Sequence, residues 1–93
     1  MKKTKLNKAR KSIDQIDNKI FELIRKRTHV VKHMLTLKKY KKHIVDKKRI
    51  NEILKKIKKK SIKNKIDYKL TNKIWKSMIW SYVDYQRRNF SKK

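Results

Sequence analysis

Apolar residues recur through the N-terminal part of the chain at steps of three and four. Leu6, Ala9, Ile13, Ile16, Ile20 and Leu23 lead to Arg27, and Val30, Met34 and Leu37 continue the series. This is a heptad seam, the pattern of a long helix packed against another helix. It predicts a first helix from about Lys5 to about Tyr40. At about 1.5 Å per residue that helix is ~50 Å long. Two short helices of the same chain do not cover so long a seam, so the pattern implies a partner subunit.

A short polar loop centred on Lys41-Lys42-His43 follows. Asp46 is placed to cap a second helix by accepting a free backbone N–H. Ile50, Ile53, Leu54 and Ile57 form the apolar stripe of that helix, and Lys58-Lys59-Lys60 closes it with charge suited to a C-terminus. Asn64 is the expected left-handed turn residue. Asp67 then caps a third helix carrying Leu70, Ile74, Trp75, Met78, Ile79, Tyr82 and Val83. Gln86 continues the same face, four residues after Tyr82. The prediction is an all-α, three-helix protomer with one long N-terminal helix, forming an intertwined homodimer. Residues 1–93 form one domain, with 1–5 and 91–93 frayed.

Composition supports this and removes other classes. Glycine and proline are both absent, which disfavours hairpin-rich folds and glycine-rich phosphate loops. Cysteine is absent too, so disulfides and thiolate metal sites are excluded. No stretch approaches the ~20 apolar residues of a membrane span. The basic N-terminus, Met1 to Lys5, is not followed by an apolar signal core. The expectation is a cytoplasmic protein that does not engage membrane. The net charge of +25 comes from 32 basic and 7 acidic residues. Lysines alternate with Ile and Asn throughout, which reads as a uniform coat rather than a patch, with no specific nucleic-acid partner.

Polar residues on apolar seams carry the candidate chemistry. Arg27 stands on the seam of the first helix, where an unmet charge costs several kcal/mol. Acids are scarce, so a bound carboxylate is the better partner for its guanidinium fork. Lys38 lies 11 residues after Arg27, close to three helical turns. Arg10 is ~25 Å from Arg27 along the axis. One small ligand meets both only if two copies of the helix pack antiparallel, so that Arg10 of one chain approaches Arg27 of the other. Gln86 is the corresponding polar residue on the third helix. His29 and His33 have a metal-pair spacing, but neither the glutamate of a zinc-protease helix nor a third ligand accompanies them. No metal is expected. Trp75, Trp80, Tyr82 and Tyr85 read as core and rim rather than as a base-stacking platform.

The segment Ala9-Arg10-Lys11-Ser12-Ile13-Asp14-Gln15-Ile16-Asp17, with Ile20, Leu23, Ile24 and Arg27, resembles the opening of the AroQ-class chorismate mutases. Lys38 fits that family's loop-proximal lysine. Val45-Asp46-Lys47-Lys48-Arg49 looks like its Asp-x-x-Arg start of the second helix. Ile66-Asp67 resembles the Leu-Asp that opens the third, and Gln86 falls at the Gln/Glu near its end. The similarity runs from about Leu6 to Phe90.

The resemblance implies an intertwined dimer with two shared sites and conversion of chorismate to prephenate without cofactor. Arg27, with Arg10 of the partner chain, would grip the substrate carboxylates. Lys38 and Gln86 would donate to the ether oxygen, and Arg49 and Asp46 would line the loop side. The chain departs from the family at two places. The glutamate that follows the second-helix Arg is Ile50 here, and the third-helix Ser is Tyr82. Isochorismate-pyruvate lyases of the same fold share both tendencies, so salicylate and pyruvate formation is the alternative activity. A non-catalytic basic helical module binding nucleic acid is a more distant one.

Overall fold

The computed structural model describes residues 2–91; for Lys2 only the backbone is described. Helix α1 spans Lys2–Leu37, a 3-10 turn spans Lys41–Ile44, α2 spans Lys47–Lys63 and α3 spans Tyr68–Asn89. No strand occurs among the described residues. The protein is all-α, as the periodicity predicts. Lys2 to Lys5 are helical, so α1 begins earlier than Lys5, and Ser91 is irregular. The expected fraying of Met1, Lys92 and Lys93 falls outside the described residues.

The helix boundaries follow from backbone hydrogen bonding. Asp46 caps α2: its Oδ1 accepts the Arg49 N–H at 3.0 Å. Asp67 caps α3 in the same way, its Oδ1 accepting the Lys69 N–H at 2.9 Å. The C-terminus of α2 closes as a Schellman motif. Ile66 N–H donates to the Ser61 carbonyl at 2.9 Å and Lys65 N–H to the Ile62 carbonyl at 3.2 Å. The left-handed position of that motif is Lys65, with φ of 55°. This corrects the expectation for Asn64, whose φ is −96°. Asn64 instead caps the helix, its side-chain amide donating to the Lys60 carbonyl at 2.8 Å.

Helix α1 stops at Leu37, three residues before the expected Tyr40. The cause is local. Lys38 N–H turns back to the Leu35 carbonyl at 3.2 Å, and the following 3-10 turn places Ile44 at 4% exposure. Burying Ile44 requires the chain to leave the helical path. Lys38 therefore follows the helix, and the three-turn spacing from Arg27 does not continue helically to it.

Contacts divide the chain into two units, Met1–His33 and Met34–Lys93. The first is α1 up to His33. The second holds the end of α1, the 3-10 turn, α2 and α3, with α3 packed on both α2 and the turn. Its core joins Leu35, Ile44 and Val83, with Val45 and Phe90 against them. Between α2 and α3 lies a buried polar contact. Ser61, 2% exposed, donates to the Ile57 carbonyl, and its Oγ stands 2.7 Å from Thr71 Oγ1.

The predicted seam of α1 is apolar but uncovered. Leu6, Ile13, Ile16, Ile20, Leu23, Val30, Met34 and Leu37 are 48–69% exposed.

Candidate functional site

In the second unit two chain segments converge on one polar contact. Lys38 leaves the end of α1 and Gln86 comes from the last turns of α3. Lys38 Nζ donates to Gln86 Oε1 at 2.7 Å. Gln86 is buried, at 7% exposure, on the face that also buries Ile79 and Val83. Its position follows from helical geometry: steps of three and four from Ile79 reach Val83 and then Gln86. The other end of the side chain is fixed too, since Nε2 donates to the Tyr82 carbonyl at 3.2 Å. The amide orientation is dictated chemically. An ammonium only donates and a carbonyl only accepts, so Oε1 faces Lys38 and Nε2 faces the helix backbone. The second N–H of the Gln86 amide has no hydrogen-bond partner among the described residues.

The ammonium sits in partly desolvated surroundings. Burial holds the Lys38 pKa below the ordinary lysine value, and the nearby Asp46 carboxylate raises it in partial compensation. Asp46 thus has two roles, capping α2 through Oδ1 and placing negative charge near Lys38. It also lines an open depression of about 510 Å³ with Lys42, His43, Val45 and Lys47.

Tyr82 is half-buried and packs edge-to-face on Tyr85, with ring centroids 6.3 Å apart. Ile50 is half-buried in the first turn of α2. Arg49 turns elsewhere. Its guanidinium Nη1 lies 3.6 Å from Glu52 Oε2, both side chains being exposed, beside a shallow groove of about 370 Å³ on α2. Arg10 and Arg27 belong to the first unit, where Arg10 is exposed and Arg27 half-buried. The structure therefore brings together Lys38, Gln86, the Tyr82 backbone and the Asp46 charge, while the Arg49 guanidinium lies beside Glu52.

Sequence reasoning did not anticipate the anchoring of Gln86 by the Tyr82 carbonyl. The spacing of four residues was the available signal. No group of three or more His, Cys, Asp or Glu side chains able to hold a metal occurs among the described residues. His29 and His33 are exposed. No helix is long and apolar enough to cross a membrane among the described residues.

The arrangement is a cation hydrogen-bonded to the carbonyl end of a neutral amide whose N–H end is anchored on the helix, in partly desolvated surroundings. It suits stabilisation of charge developing on an oxygen rather than nucleophilic or acid–base chemistry. Comparison with curated proteins and with solved structures yields no match. A family model described as chorismate mutase type II matches residues 9–87. That span takes in every candidate position from Arg10 to Gln86, and the chain belongs to the chorismate mutase type II family.

Proposed function

We propose that this protein is a chorismate mutase that converts chorismate to prephenate, acting as a homodimer with two shared sites. The observation that carries the reading is the 2.7 Å contact between Lys38 and Gln86. The rearrangement is pericyclic and unimolecular, so it needs no nucleophile, base or cofactor. It needs the folded substrate conformer to be held and the charge on the breaking ether to be met. Lys38 and the free N–H of Gln86 supply two donors for that oxygen. Arg27 and the partner's Arg10 bind the two carboxylates, a role for which the guanidinium fork is suited. Asp46 and Arg49 line the loop side, with Arg49 turning from Glu52 toward the ligand.

The dimer is supported by the uncovered seam of α1. Burying apolar surface contributes about 25 cal/mol per Å², and eight half-exposed side chains along a helix of about 54 Å offer a continuous strip for it. Antiparallel pairing of two such helices brings Arg10 of one chain toward Arg27 of the other.

Ile50 and Tyr82 favour a second reading, an isochorismate-pyruvate lyase. An isoleucine does not hydrogen-bond the hydroxyl that a glutamate at this place reads. Steady-state assays of the purified protein with chorismate and with isochorismate decide between them. Prephenate formation with the higher kcat/KM supports the mutase. Salicylate and pyruvate from isochorismate at higher kcat/KM establish the lyase, and turnover of neither substrate refutes both.

A further inference from the structure

The structure redistributes the positive charge that the sequence suggests is uniform. Helix α2, 17 residues long, carries nine basic residues and a single acid, Glu52. Helix α3, 22 residues long, carries five basic residues and one acid. Helix α1 carries eleven basic residues over 36 positions, offset by three acids. The net positive charge per residue on α2 is therefore more than twice that on either other helix.

The placement is one-sided. The apolar face of α2, with Ile53, Leu54 and Ile57 half-buried and Ser61 buried, is the side that meets α3 through the Ser61–Thr71 contact. Lys48, Lys55, Lys59 and Lys63 fall on the opposite side, Lys56 and Lys60 flank the apolar face, and all six are exposed. Lys55, Lys59 and Lys63 follow at intervals of four residues, as do Lys56 and Lys60. Each interval advances the charge by about 6 Å along the helix axis. Like charges at this spacing destabilise a helix by about 0.2–0.5 kcal/mol per pair. An anionic partner relieves that repulsion.

We propose that the outer face of α2 is a sequence-independent binding surface for the phosphate backbone of duplex nucleic acid. Charge complementarity selects the partner. The lysine face is about 22 Å from Lys48 to Lys63, a straight cationic rod of a width that a duplex groove admits. Helix α2 has no aromatic residue to stack on unpaired bases. A bilayer is the poorer partner, because an interfacial helix needs an apolar face to insert, and on α2 only Ile62 is an exposed apolar side chain, Ile53, Leu54 and Ile57 being half-buried. This inference does not depend on the catalytic reading.

The test is fluorescence anisotropy of a labelled twenty-base-pair DNA duplex titrated with the full-length protein from 50 to 200 mM salt. Six lysine–phosphate contacts predict a loss of about 10³ in affinity over that range. Lys55→Gln/Lys59→Gln/Lys63→Gln leaves three contacts, and the loss falls to about 40-fold. Lys69→Gln/Lys73→Gln/Lys76→Gln removes the same charge from exposed positions of α3 and keeps the wild-type slope. Circular dichroism checks that both proteins stay helical. If the α2 triple variant does not fold, Lys59→Gln alone is read by a drop of about one in the logarithmic salt slope. Equal slopes for the two triple variants, or no binding at 50 mM salt, overturn the proposal. Tighter, α2-dependent binding to phosphatidylserine vesicles than to the duplex overturns the choice of partner.

Discussion

Replacing Gln86 by glutamate exchanges an amide for a carboxyl group and separates the two roles of this side chain. The carboxylate would face the Lys38 ammonium across the present 2.7 Å, an attraction on the order of 6 kcal/mol at an effective dielectric of 20. Desolvating a carboxylate at a position only 7% exposed costs several kcal/mol in the opposite sense. The two terms nearly cancel, so the fold should survive and the effect should be catalytic. On the proposed mechanism, the ionised carboxylate of the variant lacks the N–H that would meet the breaking ether. Removing one such donor typically lowers kcat by about 10²–10³. Protonation restores a donor. The kcat/KM of Gln86→Glu should therefore fall tenfold per pH unit above the carboxyl pKa and level off about 10²–10³ below its acidic value. The wild-type amide donates throughout, so its profile should be flat over the same range. Continuous assay of substrate disappearance, with both proteins in one buffer series at constant ionic strength, measures this contrast. Parallel profiles would show that Gln86 does not face the reacting bond.

Three further outcomes are expected. Sedimentation at micromolar concentration should give a dimer, and inactive Arg10→Ala and Arg27→Ala proteins should partly regain activity on mixing, because a hybrid dimer keeps one intact site; a folded monomer, or no recovery in a dimer that exchanges subunits, excludes the shared site. Burial lowers the Lys38 pKa in the folded protein, so between that lowered value and 10.5 the unfolded chain binds more protons and stability rises with pH. Urea midpoints of wild type minus Lys38→Met should accordingly increase through that alkaline window, while kcat/KM of the wild type declines there as the cation is lost; a flat or falling difference contradicts the burial. Thr71→Val removes one partner of buried Ser61 and should cost about 1 kcal/mol in urea unfolding, and an unchanged midpoint would show the contact to be energetically idle.

The fold was legible where periodicity and capping act locally. Asp46 and Asp67 declare the starts of α2 and α3, because a short carboxylate before an apolar-periodic run has few better places to go. The end of α1 was less legible. Nothing in Lys38-Lys39-Tyr40 breaks a helix, and what stops it is burial of Ile44 against Leu35 and Val83, a tertiary effect. The Ser61–Thr71 contact was hidden by residue type, although Ser61 follows Ile57 by four residues and so continues the stripe. Within the candidate site, Gln86 could be read because α3 alone places it on its apolar face. The direction of the Arg49 guanidinium could not, because in α2 it answers to Glu52, a neighbour three residues on. Arg10 and Arg27 could be read only as a matter of helix spacing, since the joint role proposed for them requires a second copy of the chain.

Lys65 occupies the left-handed position that ends α2, a place where glycine is the residue of least cost. A residue with a Cβ sits there with a penalty on the order of 1 kcal/mol. The Asn64 cap and the two Schellman hydrogen bonds hold it in place. In a chain with no glycine this turn is a reserve of stability that a single substitution would release. The released margin would let the protein tolerate a destabilising change elsewhere, including a new polar residue at the half-buried Ile50. On the proposed function, the ease with which substrate preference could be altered would therefore depend in part on a turn outside the candidate site.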